Sequence, residues 1–262
     1  MKNALKIFKK EIKEVLRNRA IWLPILAVSI MFSVIFPGIL TFTLDSLIKD
    51  PDTASFIARV FQNTDNLQVA MMQFLIKQFM IFLLLIPAML PSLIAPASIV
   101  LEKESNTLEP LIATPIKTSE LLLGKTLTSM IPSFTITLIN FVLITVVIDV
   151  LGYMKFKMLL LPTLEWFVVT FLLSPILSFI ITMISIIISS RSTDIRSAQG
   201  LGAAVIFPIY AIIGAQIGGL FLLNIRYLLF GCLVLALVCP LVLRLAIRVF
   251  DRENILTKWK MK

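Results

Sequence analysis

Apolar residues run along this chain in six long blocks, separated by short polar stretches, at about 20–44, 71–101, 121–148, 158–189, 198–222 and 227–249. A membrane-crossing helix needs roughly 20 predominantly apolar residues, so each block is expected to be one. The second and fourth are long enough to tilt or to project beyond the bilayer. Pro87, Pro91 and Pro96 in the second, Pro162 and Pro175 in the fourth, Pro208 in the fifth and Pro240 in the sixth are expected to bend their helices. Ahead of the first block the period changes. Leu5, Phe8, Ile12, Val15 and Leu16 recur at helical spacing on one side, and Lys2, Lys6, Lys9, Lys10, Lys13 and Arg17 fill the rest. That split predicts an amphipathic helix lying in the membrane interface. The expected fold class is an all-α integral membrane protein with six transmembrane helices. It forms one transmembrane domain over 1–262: an interfacial helix at 1–19, a six-span bundle at 20–249 and a tail at 250–262.

Composition agrees with the pattern. The chain is 58% hydrophobic, against about 45–50% in soluble domains, and no polar stretch is long enough to build a soluble core. The net charge of +9 would point to nucleic acid in a soluble protein. Here the basic residues flank apolar blocks, so orientation and lipid headgroups account for them and no nucleic-acid partner is expected. With both termini in the cytoplasm, the lysines and arginines favour the inside by three to one, leaving Lys49, Arg59, Lys77, Lys155, Lys157 and Arg226 outside. The expected location is the cell (plasma) membrane, multi-pass. The basic first residues lead into a full-length span rather than a short apolar core with a cleavage site, so a signal peptide is not expected.

Candidate chemistry is sparse. The chain has no histidine, which removes the commonest metal ligand and general base. Cys232 and Cys239 are seven residues apart on one helix, too far along the axis for a disulfide. The "GKT" at 124–126 lacks the glycine that a phosphate-binding loop needs five positions before Gly124, where Ser119 stands. No catalytic residue, metal site or bound cofactor is expected. Glu165 inside the fourth block, with Gln73 and Lys77 at the start of the second, are candidates for a substrate path or else mark the water boundary. Gly214 and Gly218 form a GxxxG that packs helices closely, within one bundle or between two subunits.

The most structured polar stretch is "EKESNTLEPLIATPIKTSE", 102–120, on the cytoplasmic side between the second and third blocks. Leu108, Leu111 and Ile112 make a small apolar face, with Glu102, Glu104 and Glu109 around it. Pro110 and Pro115 punctuate it, and Thr118 or Ser119 starts the next helix with Glu120 in its first turn. Such an element suits either docking into a groove on a cytoplasmic partner or a capped turn. Residues 101–125, "LEKESNTLEPLIATPIKTSELLLGK", resemble the signature of the type-2 ATP-binding-cassette (ABC-2) permease family. The acidic-basic-acidic triplet is matched by Glu102, Lys103 and Glu104, a Thr-Leu-Glu by Thr107, Leu108 and Glu109, a Thr-Pro by Thr114 and Pro115, and a Leu-Leu-Gly-Lys by 122–125. Asn106 stands where the family often has glycine. The resemblance implies a permease subunit of an ATP-driven exporter. Two copies of a cytoplasmic ATPase subunit would bind ATP and Mg, a second permease subunit, identical or related, would pair with this one, and 102–120 would carry a coupling helix. Glu102, Glu104, Thr107, Leu108, Glu109, Leu111, Thr114 and Pro115 would form the ATPase interface, and the 189–197 turn a second, weaker contact. A hydrophobic cargo (drug, lipid or peptide) is expected, with sodium or polysaccharide export within the same family as an alternative. The competing reading is a stand-alone secondary transporter driven by an ion gradient, which the near absence of mid-span charge disfavours.

Overall fold

The computed structural model describes residues 2–52, 55, 67–105, 118–190, 192, 194–217 and 224–250, and all their regular structure is helical. Lys2–Arg17 forms the amino-terminal helix. Six further helices are long and apolar enough to cross a membrane: Ile21–Leu44, Gln68–Glu104, Thr118–Phe156, Leu164–Ser189, Ile195–Gln216 and Ile225–Val249. These are the first to sixth spans below. The end of the bundle that carries residues 102–120 is the motif end, and the opposite end is the far end.

The six spans fall on the six apolar blocks, with one shift. The third span runs on to Phe156 and the fourth starts only at Leu164. Lys157 adopts a positive φ of 59° and ends the helix. Asp149 then accepts the backbone N–H groups of Leu160 and Leu161, both at 2.9 Å, and draws the connection back onto the third span. Gly152 makes room beneath it, since a Cβ there would lie 2.8 Å from Leu160 Cδ1. Residues 158–162 are almost wholly apolar, so hydropathy could not separate this loop from a span.

Three of the prolines act one turn upstream of themselves. A proline has no N–H to donate and its ring crowds the carbonyl four residues earlier. Each of Pro37, Pro87 and Pro175 follows a turn of altered helix that contains this carbonyl. The turn is π-helical at Met31–Ile35, 3-10 at Ile81–Leu84 and π-helical at Val168–Leu173.

The second span is the hub. Of its apolar stretch 83% is buried, against 17% for the sixth span and 24% for the first. It packs against the third, fourth and fifth spans, and the prolines shape those contacts. Pro91 orphans the carbonyl of Pro87, which accepts instead from Ser178 Oγ of the fourth span at 3.1 Å. Ser178 Oγ in turn lies 3.0 Å from Ser133 Oγ of the third. Pro96 orphans the carbonyl of Ser92, and the fifth span comes so close there that a Cβ on Gly202 would lie 2.7 Å from it. Gln199, also on the fifth span, donates to Leu93 O at 3.2 Å. Buried Thr126, Ser129, Ser133 and Thr137 on the third span, and Thr170, Ser174, Ser178 and Thr182 on the fourth, repeat at helical spacing. Small hydroxyl residues of this kind let helices approach closely where lipid removes the usual hydrophobic drive.

Candidate functional site

At the motif end three helices meet on one buried ammonium. Lys125 lies two turns into the third span and is 1% exposed. Its Nζ donates to Glu11 Oε1 of the amino-terminal helix at 2.8 Å and to Ser98 Oγ of the second span at 2.7 Å. It also stands 3.0 Å from Glu102 Oε2 of the second span. Ser98 and Glu102 are four apart on one helix and so share a face. Glu11 and Val15 share a face for the same reason, and both are buried. The amino-terminal helix thus turns an acid and a valine inward while Leu5 and Leu16 stay exposed. At Asn18 the chain bends into the first span, and Trp22 Nε1 donates back to Val15 O at 2.9 Å, fixing the bend.

The neighbouring residue works on the other side. Successive helix positions turn by about 100°, so Lys103 points away from Glu102 and reaches the end of the fourth span. Its Nζ donates to the carbonyls of Ser189, Ser190 and Ser192 at 3.1, 2.6 and 3.1 Å. These carbonyls close a helix, where a cation satisfies orphan acceptors and opposes the helix dipole. Just beyond, Asp194 caps the fifth span by accepting from Ser197 N–H at 2.8 Å. That bond holds the Asp194 carboxyl below its ordinary value of 3.8. Glu104, the last of the triplet, is exposed. The three consecutive residues therefore fan out to the third span and amino-terminal helix, to the fourth span, and to the surface.

Of the expected coupling residues, Thr107, Leu108, Glu109, Leu111, Thr114 and Pro115 lie outside the described residues, as does Gly218. Both ends of the 106–117 segment are described, and both are tied into the ion cluster: Glu102 at one end, Lys125 at the other. At the far end, Lys77 Nζ lies 3.5 Å from Glu165 Oε1, pairing the second span with the fourth. Thr163 Oγ1 also donates to Glu165 Oε2 at 3.2 Å. Gln73 lies one turn before Lys77, part-buried. Gly214 is exposed, and a Cβ there would meet nothing within 4 Å. Among the described residues no group of acids and cysteines is placed to hold a metal ion.

Glu11, Ser98 and the pairing role of Lys125 were not legible from the sequence. The available signal was Glu11 set four before Val15 in a mostly basic helix whose other acid is Glu14, and a lysine inside "LLLGKTL" where a span has already begun.

The sequence profile described as ABC-2 family transporter protein matches residues 5–231. The chain belongs to this family. The match runs from the amino-terminal helix into the sixth span, so it includes every element that builds the ion cluster. A comparison with curated proteins found no match. As an ABC-2 membrane permease, the chain is a multi-pass, non-catalytic transmembrane component of an ABC transporter, and a partner ATPase hydrolyses the ATP.

Proposed function

We propose that this permease is an export subunit whose 102–120 segment receives the stroke of a cytoplasmic ATPase, one ATPase copy beneath each of two permease chains. The observation that carries the reading is the cluster of Lys125 with Glu11 and Glu102. A push on 106–117 reaches the spans only if both ends of that segment move as one body. The cluster joins both ends to each other and to the amino-terminal helix, while Lys103 extends the tie to the fourth span. ATP favours the closed ATPase dimer, and differential contact between that state and the segment biases the bundle toward one of two arrangements. Both termini and 102–120 lie in the cytoplasm of a cell-membrane protein, with the exposed apolar side chains of the amino-terminal helix in the lipid interface. The cargo is hydrophobic: a drug, lipid or peptide.

Pairing of two permease chains, identical or related, draws support from the fifth span. A Cβ on its Gly214 would meet nothing within 4 Å, and Phe207 and Tyr210 on the same span are exposed.

The test is co-purification with the ATPase, followed by ATPase stimulation in proteoliposomes. Glu102→Ala is expected to insert normally and to lose most of the stimulation, while Glu104→Ala keeps the internal tie and loses less. Equal stimulation by wild type and Glu102→Ala would overturn the coupling role. Cargo movement on an ion gradient without ATP would overturn the exporter reading itself.

A further inference from the structure

Near the bilayer centre the first and third spans meet at a buried amide. Asn140 of the third span and Ser33 of the first are each 2% exposed. Ser33 stands at the middle of the first span, Ile21–Leu44, inside its π-helical turn. The Asn140 amide nitrogen donates across the seam to Ser29 Oγ at 3.0 Å and back to Ile136 O at 2.9 Å. A backbone carbonyl can only accept, so the Ile136 contact fixes which side of the amide is nitrogen. Both amide protons are then committed. Oδ1 is left buried, with no hydrogen-bond partner among the described residues. A buried acceptor without a partner is costly, and in hydrocarbon no bulk water can supply one.

Asn140 and Ser33 line a cavity of about 10 Å³. Its other walls include Phe32, Phe82, Ile86 and Ile144, and the Phe32 and Phe82 rings stack with centroids 4.7 Å apart. Size, hydrogen bonding and charge together select the occupant. The volume is at the lower limit of roughly 10–15 Å³ that admits one water molecule. Oδ1 only accepts, so the occupant must bring a proton to donate. No acid lines the cavity among the described residues, so an ammonium or a metal ion would sit at the bilayer centre without a counter-charge.

We propose that Asn140 and Ser33 bind a single water molecule in the middle of the membrane. The water donates to Asn140 Oδ1 and to Ser33 Oγ. Ser33 Oγ gives its own proton to Ser29 O at 2.6 Å, which leaves its lone pairs to accept. The water thereby completes a polar bridge from the third span to the π-helical turn of the first. Only 24% of the first span's apolar stretch is buried, and interhelical hydrogen bonds are among the few contacts that hold helices together in lipid. The bridge is therefore a main seat of the first span on the bundle. Asn140 lies about 22 Å along the third span from Lys125, at 1.5 Å per residue, and the site does not rest on the coupling reading.

The test is water-edited solid-state NMR of the full chain in nanodiscs, with ¹³C in asparagine and methionine. The Asn140 Cγ signal is assigned by its loss in Asn140→Leu. Polarisation from water is expected to reach Asn140 Cγ several-fold faster than the methyl of Met183, which is 0% exposed and packed among apolar side chains. Ser33→Ala removes one of the water's two acceptors and should bring the Asn140 rate down toward that of Met183. Equal rates at Asn140 and Met183 in the wild type would mean a dry cavity and overturn the site. An Asn140 rate that Ser33→Ala leaves unchanged would overturn the bridge. Quenching of Asn140 by a gadolinium chelate as strong as that of exposed Asn18 would mean an open aqueous crevice rather than one held water. An Asn140 Cγ shift that moves when sodium is replaced by choline would assign the space to a cation, and either result overturns the proposal. If Ser33→Ala fails to insert, the wild-type rates with the gadolinium and sodium controls decide.

Discussion

Replacing Lys125 with methionine keeps an unbranched side chain one atom shorter and removes the charge. Glu11 and Glu102, whose side chains are 8% and 14% exposed, then face each other without the ammonium between them. Removing one partner of a buried ion pair costs about 3–5 kcal/mol, because the remaining charge has lost both water and counter-ion. Protonation of a carboxylate limits that cost but leaves its hydrogen bonds rearranged. At about 2–4 °C per kcal/mol for a chain of this size, the unfolding midpoint is expected to fall by about 6–20 °C. The assay is thermal unfolding of the purified protein in one detergent, wild type against Lys125→Met. The triple variant Lys125→Met, Glu11→Gln, Glu102→Gln should recover most of the loss, since a neutral set has no charge to desolvate. The cycle through Glu102→Gln and Lys125→Met isolates the pair. A midpoint for Lys125→Met within about 2 °C of wild type would refute the reasoning. So would a coupling below about 0.5 kcal/mol, the range of independent sites.

Ser178→Ala leaves the Pro87 carbonyl without its donor, and a loss of about 0.6 kcal/mol, the average for interhelical hydrogen bonds in membranes, should appear as a small drop in the same unfolding midpoint. Gly202→Leu should destabilise by about 1–3 kcal/mol or more, because the obstacle is the Ser92 backbone carbonyl rather than a movable side chain. Gly214→Leu should leave the unfolding midpoint of the separated chain unchanged and should shift only the dimer fraction seen by cross-linking. Asp194 has a depressed folded-state pKa, so its cap contributes fully above 3.8 and fades as pH falls through the lower folded value. Hydrogen exchange at Ser197 should therefore rise on acidification below that point relative to neighbouring amides, and Asp194→Asn should remove this pH dependence.

Much of the architecture follows from linear pattern alone. Six apolar blocks dictate six spanning helices, since a bilayer leaves backbone polar groups no partner but their own helix. Likewise, Leu5, Phe8, Ile12 and Val15 against a background of lysines dictate an amphipathic amino-terminal helix. The limits of that reading appear at Asp149. Its carboxylate, one residue past the third apolar block, turns residues 157–163 into a folded-back loop, which no hydropathy average can register. The triplet at 102–104 shows the same division. Its place at the end of the second span is a matter of sequence. Which way each charge points is decided by the 100° step of the helix and by what packs on either side. Glu11 and Lys125 are 114 positions apart, and nothing local joins them. Only the packing of the amino-terminal helix against the third span turns two ordinary charges into a buried pair, because a charge leaves water only when tertiary structure supplies the opposite one.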